Sequence, residues 1–383
     1  MTNTSRPIYL DHNASTPVLP EVLEAMLPYL TEHHGNPSSP HIYGRHMRQA
    51  VDKAREQVAS LIDSTAAEIF FTSGGTEANN LAIRGIAAGN ATRHQIVTSV
   101  IEHPATSTPC ALLEKQGYRV DRAPVDETGV VDLQFIRGAV SPDTLLVTVM
   151  HANSETGSLQ PIQKISRIAH STGALVHTDA AQSVGKVAIT VQGDEVDLLS
   201  IAGHKLYAPQ GIGALFVRAG TTIEPVLLGA NHERGLRPGT ENVASIAALG
   251  QACAIARRDL ARESRRVCSL RDRLWERLKD QVAGLALNGH PVKRLPNTLN
   301  VRFPGVSGNA VLAACPAVAA STGSACHEAG ESASAVILAM GIAEESAIGS
   351  VRLTMGRENT QDDIDRAADA LAQAWRSLGK RLP

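Results

Sequence analysis

Between residues 68 and 217 the chain alternates short apolar, β-rich runs with stretches whose apolar residues recur at helical spacing. The runs are Ile69-Phe70-Phe71, Gln95-Ile96-Val97-Thr98, Leu145-Leu146-Val147-Thr148-Val149, Leu175-Val176-His177, Leu198-Leu199-Ser200-Ile201 and Ala214-Leu215-Phe216-Val217. Between them, Ile162, Ile165, Ile168 and Ala169 fall on one helical face. Alternation of this kind predicts an α/β domain with a mostly parallel sheet covered by helices.

After Gly250 the pattern changes. A long charged helix is predicted over 257–281, then strand-like Thr298-Leu299-Asn300-Val301 and Ser350-Val351-Arg352-Leu353, and a closing helix from Gln361. A chain of 383 residues exceeds one ordinary core. The expected division is therefore a large α/β domain over 16–256 and a smaller α+β domain from 1–15 plus 257–383.

Hydrophobic residues at 43% and charged residues at 19% fit an ordinary folded globular chain. A formal net charge of -2 gives no reason to expect a nucleic-acid or anionic-membrane surface. The start lacks a basic segment followed by an apolar one, and the weakly polar stretch 243–256 falls short of the ~20 apolar residues that span a bilayer. A cytoplasmic protein without membrane contact is expected. The cysteines, Cys110, Cys253, Cys268, Cys315 and Cys326, are odd in number and lack paired spacing, which suits reduced thiols better than a disulfide framework or a zinc site.

Candidate chemistry lies at three strand ends, where open α/β sheets place their ligands. In Phe71-Thr72-Ser73-Gly74-Gly75-Thr76 a strand runs through glycines into a helix start, where main-chain N–H groups can approach a phosphate. In Val176-His177-Thr178-Asp179-Ala180-Ala181-Gln182 a carboxylate ends a strand and could keep a pyridine nitrogen protonated. In Ala202-Gly203-His204-Lys205 a lysine past a third strand is placed to form a Schiff base. Singly, these read as helix caps and a solvated lysine. Together and in this order they are the parts of a pyridoxal phosphate site.

These segments, with Ile8-Tyr9-Leu10-Asp11, Thr98-Ser99-Val100-Ile101-Glu102-His103, Arg237-Pro238-Gly239-Thr240 and Ser321-Thr322-Gly323-Ser324-Ala325-Cys326, resemble the cysteine desulfurases of the class V aminotransferase group over nearly the whole length. The resemblance implies the type I fold of pyridoxal 5'-phosphate enzymes. Lys205 would bind the cofactor covalently, Asp179 would pair the pyridine nitrogen, Gln182 the phenolic oxygen, and His103 would stack on the ring and move protons. Gly75, Thr76 and His204 would hold the phosphate, with Thr240 reaching it from the other subunit of a homodimer. Arg352 would clamp the carboxylate of L-cysteine.

Cys326 separates the reaction classes. It sits among Ser, Thr, Gly and Ala, a composition that packs poorly, and a transaminase needs no thiol there. A desulfurase needs one to take the substrate sulfur as a persulfide and pass it to an acceptor or scaffold protein, for iron-sulfur cluster assembly, tRNA thiolation or DNA phosphorothioation. A selenocysteine lyase, another pyridoxal phosphate lyase or an aminotransferase is the alternative. Two positions depart from the family pattern. Ser154 stands where an asparagine is usual, and Ala202 where a phosphate-binding serine is usual.

Overall fold

The computed structural model describes residues 6–323 and 333–379. Cys326 lies outside the described residues.

The strands, in chain order, are β1 (Ile8–Tyr9), β2 (Ile69–Thr72), β3 (Gln95–Ser99), β4 (Arg119–Ala123), β5 (Thr144–Thr148), β6 (Leu175–Asp179), β7 (Leu198–Ala202), β8 (Gly213–Val217), β9 (Ala286–Asn288), β10 (Thr298–Arg302), β11 (Val318–Ala319) and β12 (Ser350–Thr354). Seven form the large sheet in the order β2-β8-β7-β6-β5-β3-β4. Strand β8 runs antiparallel to both neighbours and the other contacts are parallel. The expected mostly parallel sheet is there, with one strand reversed. Every residue of β3, β5, β7 and β8 is buried, as strands covered on both faces require. Strand β4 escaped the sequence pattern because Arg-Val-Asp-Arg-Ala is polar, which an edge strand tolerates.

The small sheet is β12-β10-β9, and β1 pairs separately with β11. Its core joins Ile8 and Leu10 to Leu299, Val301, Val351, Leu353 and the closing helix Gln361–Gly379. The helix Val243–Gln281 passes between the cores. Val243 to Ala256 pack into the large one, Val267 to Leu278 into the small one.

That helix starts well before the predicted 257. Its first half is buried on most faces, so it shows no amphipathic period to read, and Asn242 caps it by accepting from the Ser245 N–H at 3.2 Å. The expected boundary at 256/257 falls inside this element. No described helix is long and apolar enough to cross a membrane.

Candidate active site

The ends of β2, β3, β5, β6 and β7 meet the loop after β1 and the side chain of Arg352 around a cavity of about 250 Å³. Asn13, Ala14, Gly75, Thr76, Asn79, His103, Ser154, Asp179, Gln182, Ala202, His204, Lys205 and Arg352 line it.

Asp179 is the last residue of β6 and is 7% exposed. One carboxylate oxygen accepts from Asn79 Nδ2 at 2.7 Å, and the other from the Ala181 N–H at 3.0 Å. Both oxygens are thereby aimed. Strand β7 ends at Ala202 and turns through Gly203–Lys205, which brings Lys205 to the same cavity. Its Nζ donates to the carbonyls of Asn13 at 2.5 Å and Ala14 at 2.8 Å.

The helix Gly75–Ala88 opens beside them. Gly74 has φ +152°, which only glycine adopts readily, and a Cβ on Gly75 would stand 3.1 Å from the Ala202 methyl. Both glycines therefore let main-chain N–H groups at a helix N-terminus reach the cavity, the usual arrangement for an anion. His204 stands next to this start. Desolvation, then the charges of Lys205 and Lys186, lower it to about 4, so it is a neutral imidazole with one N–H to donate.

His103 caps the helix Pro104–Lys115 by accepting from the Ala105 N–H at Nδ1, 3.1 Å away. In the neutral ring this leaves the proton on Nε2. The neighbouring Glu102 accepts from Ser99 Oγ at 2.5 Å and from the Met150 N–H at 3.0 Å. Although the residue keeps some surface exposure, desolvation of its carboxyl, aided by Asp179, pushes it up to about 8.

Arg352, 1% exposed, projects from β12. Its guanidinium donates to Asp11 Oδ1 at 2.7 Å, Ser321 Oγ at 2.9 Å and the Ser154 carbonyl at 3.1 Å. The remaining Nε is buried without a partner among the described residues. Gln182 accepts from Lys186 Nζ and donates to the Asn13 carbonyl, both at 3.0 Å.

The structure thus brings Gly75, Thr76, His103, Asp179, Gln182, His204, Lys205 and Arg352 to one cavity. Thr240 is exposed and is not among the described residues that line this cavity. Ser154 lines the cavity, and it is its carbonyl that Arg352 and Asn13 engage. Ala202 supplies a methyl wall against Gly75, so the missing hydroxyl is exchanged for close packing of the helix start.

Sequence reading assigned no role to Asn79, Asn13, Ala14 and Lys186. Asn79 was findable, one helical turn after Gly75 and so on the same face. The carbonyls of Asn13 and Ala14 leave no trace in residue type.

The arrangement fits pyridoxal phosphate. It pairs an anion cradle that a Cβ would fill with a fixed buried carboxylate and an amine, and it leaves Asn79 Oδ1, next to Asp179, buried without a partner among the described residues.

Residues 8–367 match the family model described as Aminotransferase class-V. The chain is 43% identical to a cysteine desulfurase, IscS 1, of Archaeoglobus fulgidus over 378 residues, 98% of each chain. A solved NifS-like protein superposes with a TM-score of 0.91 at 33% identity, covering 97% of this chain and all of that one. A solved SspA in complex with cysteine superposes with a TM-score of 0.82 at 34% identity, covering 91% of this chain and 98% of that one.

Proposed function

Since the chain belongs to the class V aminotransferases, and within them to the pyridoxal-phosphate-dependent cysteine desulfurases, we propose that it converts L-cysteine to L-alanine, holds the sulfur on Cys326 and delivers it to an acceptor protein. The observation that carries this reading is Asp179 and Lys205 facing one cavity with His103, the carboxylate fixed at both oxygens. When bound, pyridoxal phosphate supplies an electron sink that eases bond cleavage at the carbon bearing the substrate amine.

The protein's own residues do the rest. Lys205 Nζ would hold the cofactor, and its amine would carry a proton. Asp179 would keep a proton on the pyridine nitrogen, and Gln182 Nε2 would donate to the phenolic oxygen. The N–H groups of Gly75 and Thr76, with neutral His204, would hold the phosphate, and Thr240 of a second subunit would reach it in a homodimer. His103 moves a proton at Nε2, because Nδ1 is engaged with Ala105. Arg352, which lines the cavity, would offer its guanidinium to the substrate carboxylate by exchanging contacts it makes to Asp11, Ser321 and the Ser154 carbonyl, the chemistry that a planar guanidinium matches. The cysteine-bound relative supports cysteine as the substrate.

Sulfur leaves by attack of the Cys326 thiolate. An S–S bond forms, the substrate C–S bond breaks, and its electron pair stays with the fragment that becomes alanine on protonation. Incubation with L-cysteine should release alanine and load sulfane sulfur on the protein. Cys326→Ser should lose both, and unchanged alanine release in that variant overturns the assignment.

A further inference from the structure

Lys186 lies two turns of chain beyond Asp179, outside the set just described. Its Nζ donates to Gln182 Oε1 and to Asn13 Oδ1, both at 3.0 Å. The Asn13 carbonyl in turn accepts from Gln182 Nε2 at 3.0 Å and from Lys205 Nζ at 2.5 Å. Lys186, Gln182 and Asn13 thus close one hydrogen-bonded ring, with Lys205 joined to it through the Asn13 carbonyl, and Lys186 is the one of the four absent from the described cavity lining.

The ring has a consequence for Gln182. A glutamine amide can place either its oxygen or its nitrogen toward a given neighbour, and only the nitrogen donates. With Oε1 held by an amine, Nε2 is the end left to face Asn13 and the cavity. Lys186 supplies that hold whether it carries two protons or three, since both forms donate to the two oxygens.

We infer that Lys186 is a positioning residue of this site: it locks the Gln182 amide so that a donor, not an acceptor, meets the phenolic oxygen of the cofactor. The inference rests on the proposed role of Gln182. Its surroundings explain why the amine is free to serve. Both partners are amide oxygens, and desolvation, followed by the charges of Lys205 and Arg352, lowers its proton affinity well below that of an ordinary lysine. The groups that face it are Lys205, Arg352, His12 and His204.

The test uses the holoenzyme and the pH midpoint at which the visible absorption band of the bound cofactor changes form. Loss of the donor makes the phenolic oxygen more basic. Lys186→Met should therefore raise the midpoint by on the order of half to one pH unit, and Gln182→Leu should raise it likewise. The double variant should titrate like Gln182→Leu alone, because the lysine acts through the glutamine. Lys186→Arg should stay near wild type. If the methionine variant does not hold cofactor, Lys186→Gln carries the comparison, with a midpoint between the two. A wild-type midpoint in the neutral variants, or shifts that add in the double variant, overturns the inference. Wild-type protein that binds no cofactor overturns the parent reading instead.

Discussion

The two walls of the cavity are built differently. One is the end of the large sheet, where Asp179 closes β6 and Gly75 and Lys205 follow the ends of β2 and β7 by three residues, so that each is placed by its own strand and turn. The other gathers Asn13, Ser154, Arg352 and Asp11 from distant parts of the chain. Asn13 Nδ2 bonds Thr298 Oγ1 at 2.9 Å across 285 residues, and Arg352 bonds Asp11 across 341. The sheet wall is a set of strand ends and following turns, each of which places its residue from the adjoining strand. The second wall is a tertiary seam, assembled only when the small core docks against the large sheet. Damage to the first should cost turnover, whereas damage to the second should cost stability before it costs chemistry.

The sharpest contrast sets Asp179→Asn against Asn13→Ala. The first keeps the shape and removes the charge, and should lower alanine production on the order of 10²–10³-fold, with the unfolding midpoint nearly unchanged. The second should lower stability to denaturant by roughly 1–3 kcal/mol, because it strips a buried hydrogen-bond hub. Its turnover should fall far less. Similar turnover losses in both would erase the distinction between the walls.

Legibility follows the same line. The β runs and the three strand-end motifs were readable because strand, turn and functional side chain lie together in sequence, as with Asp179 after Val176-His177-Thr178. The edge strand β4 and the first half of the helix Val243–Gln281 were not, since one is polar and the other buried all round. In the second wall, Arg352 was identifiable only by resemblance. Its ion pair with Asp11 and its contact with the Ser154 carbonyl depend on how β1 and β12 come together. Lys186 was hidden for a related reason, because its role lies in a ring closed by Asn13.

Within the second wall, Asp11→Asn leaves the Arg352 charge in a nearly sealed environment without its counter-ion. Removing one partner of such a pair should cost roughly 3 kcal/mol of stability, read by denaturant titration. A loss well under 1 kcal/mol would mean that this pair does not hold the seam.

The last expected effect is a pH dependence of stability carried by buried histidines. Desolvation holds His12 down to about 3 and His151, His177 and His204 to about 4. Below the ordinary histidine value the unfolded chain binds protons that the folded one refuses. The stabilisation is therefore full above about pH 6.5 and is lost as pH falls toward 4. The unfolding midpoint should drop across that window, and His177→Asn should flatten part of the slope. A midpoint that does not change from pH 6.5 to 4 contradicts this.

The central claim joins the sheet wall to Cys326, and mass spectrometry of the peptide that carries Cys326 tests it most directly. After one equivalent of L-cysteine, that peptide should gain the mass of one sulfur atom in step with the alanine released, and a reductant should remove it. Alanine released while that peptide stays unmodified and sulfide appears directly in solution would contradict the account.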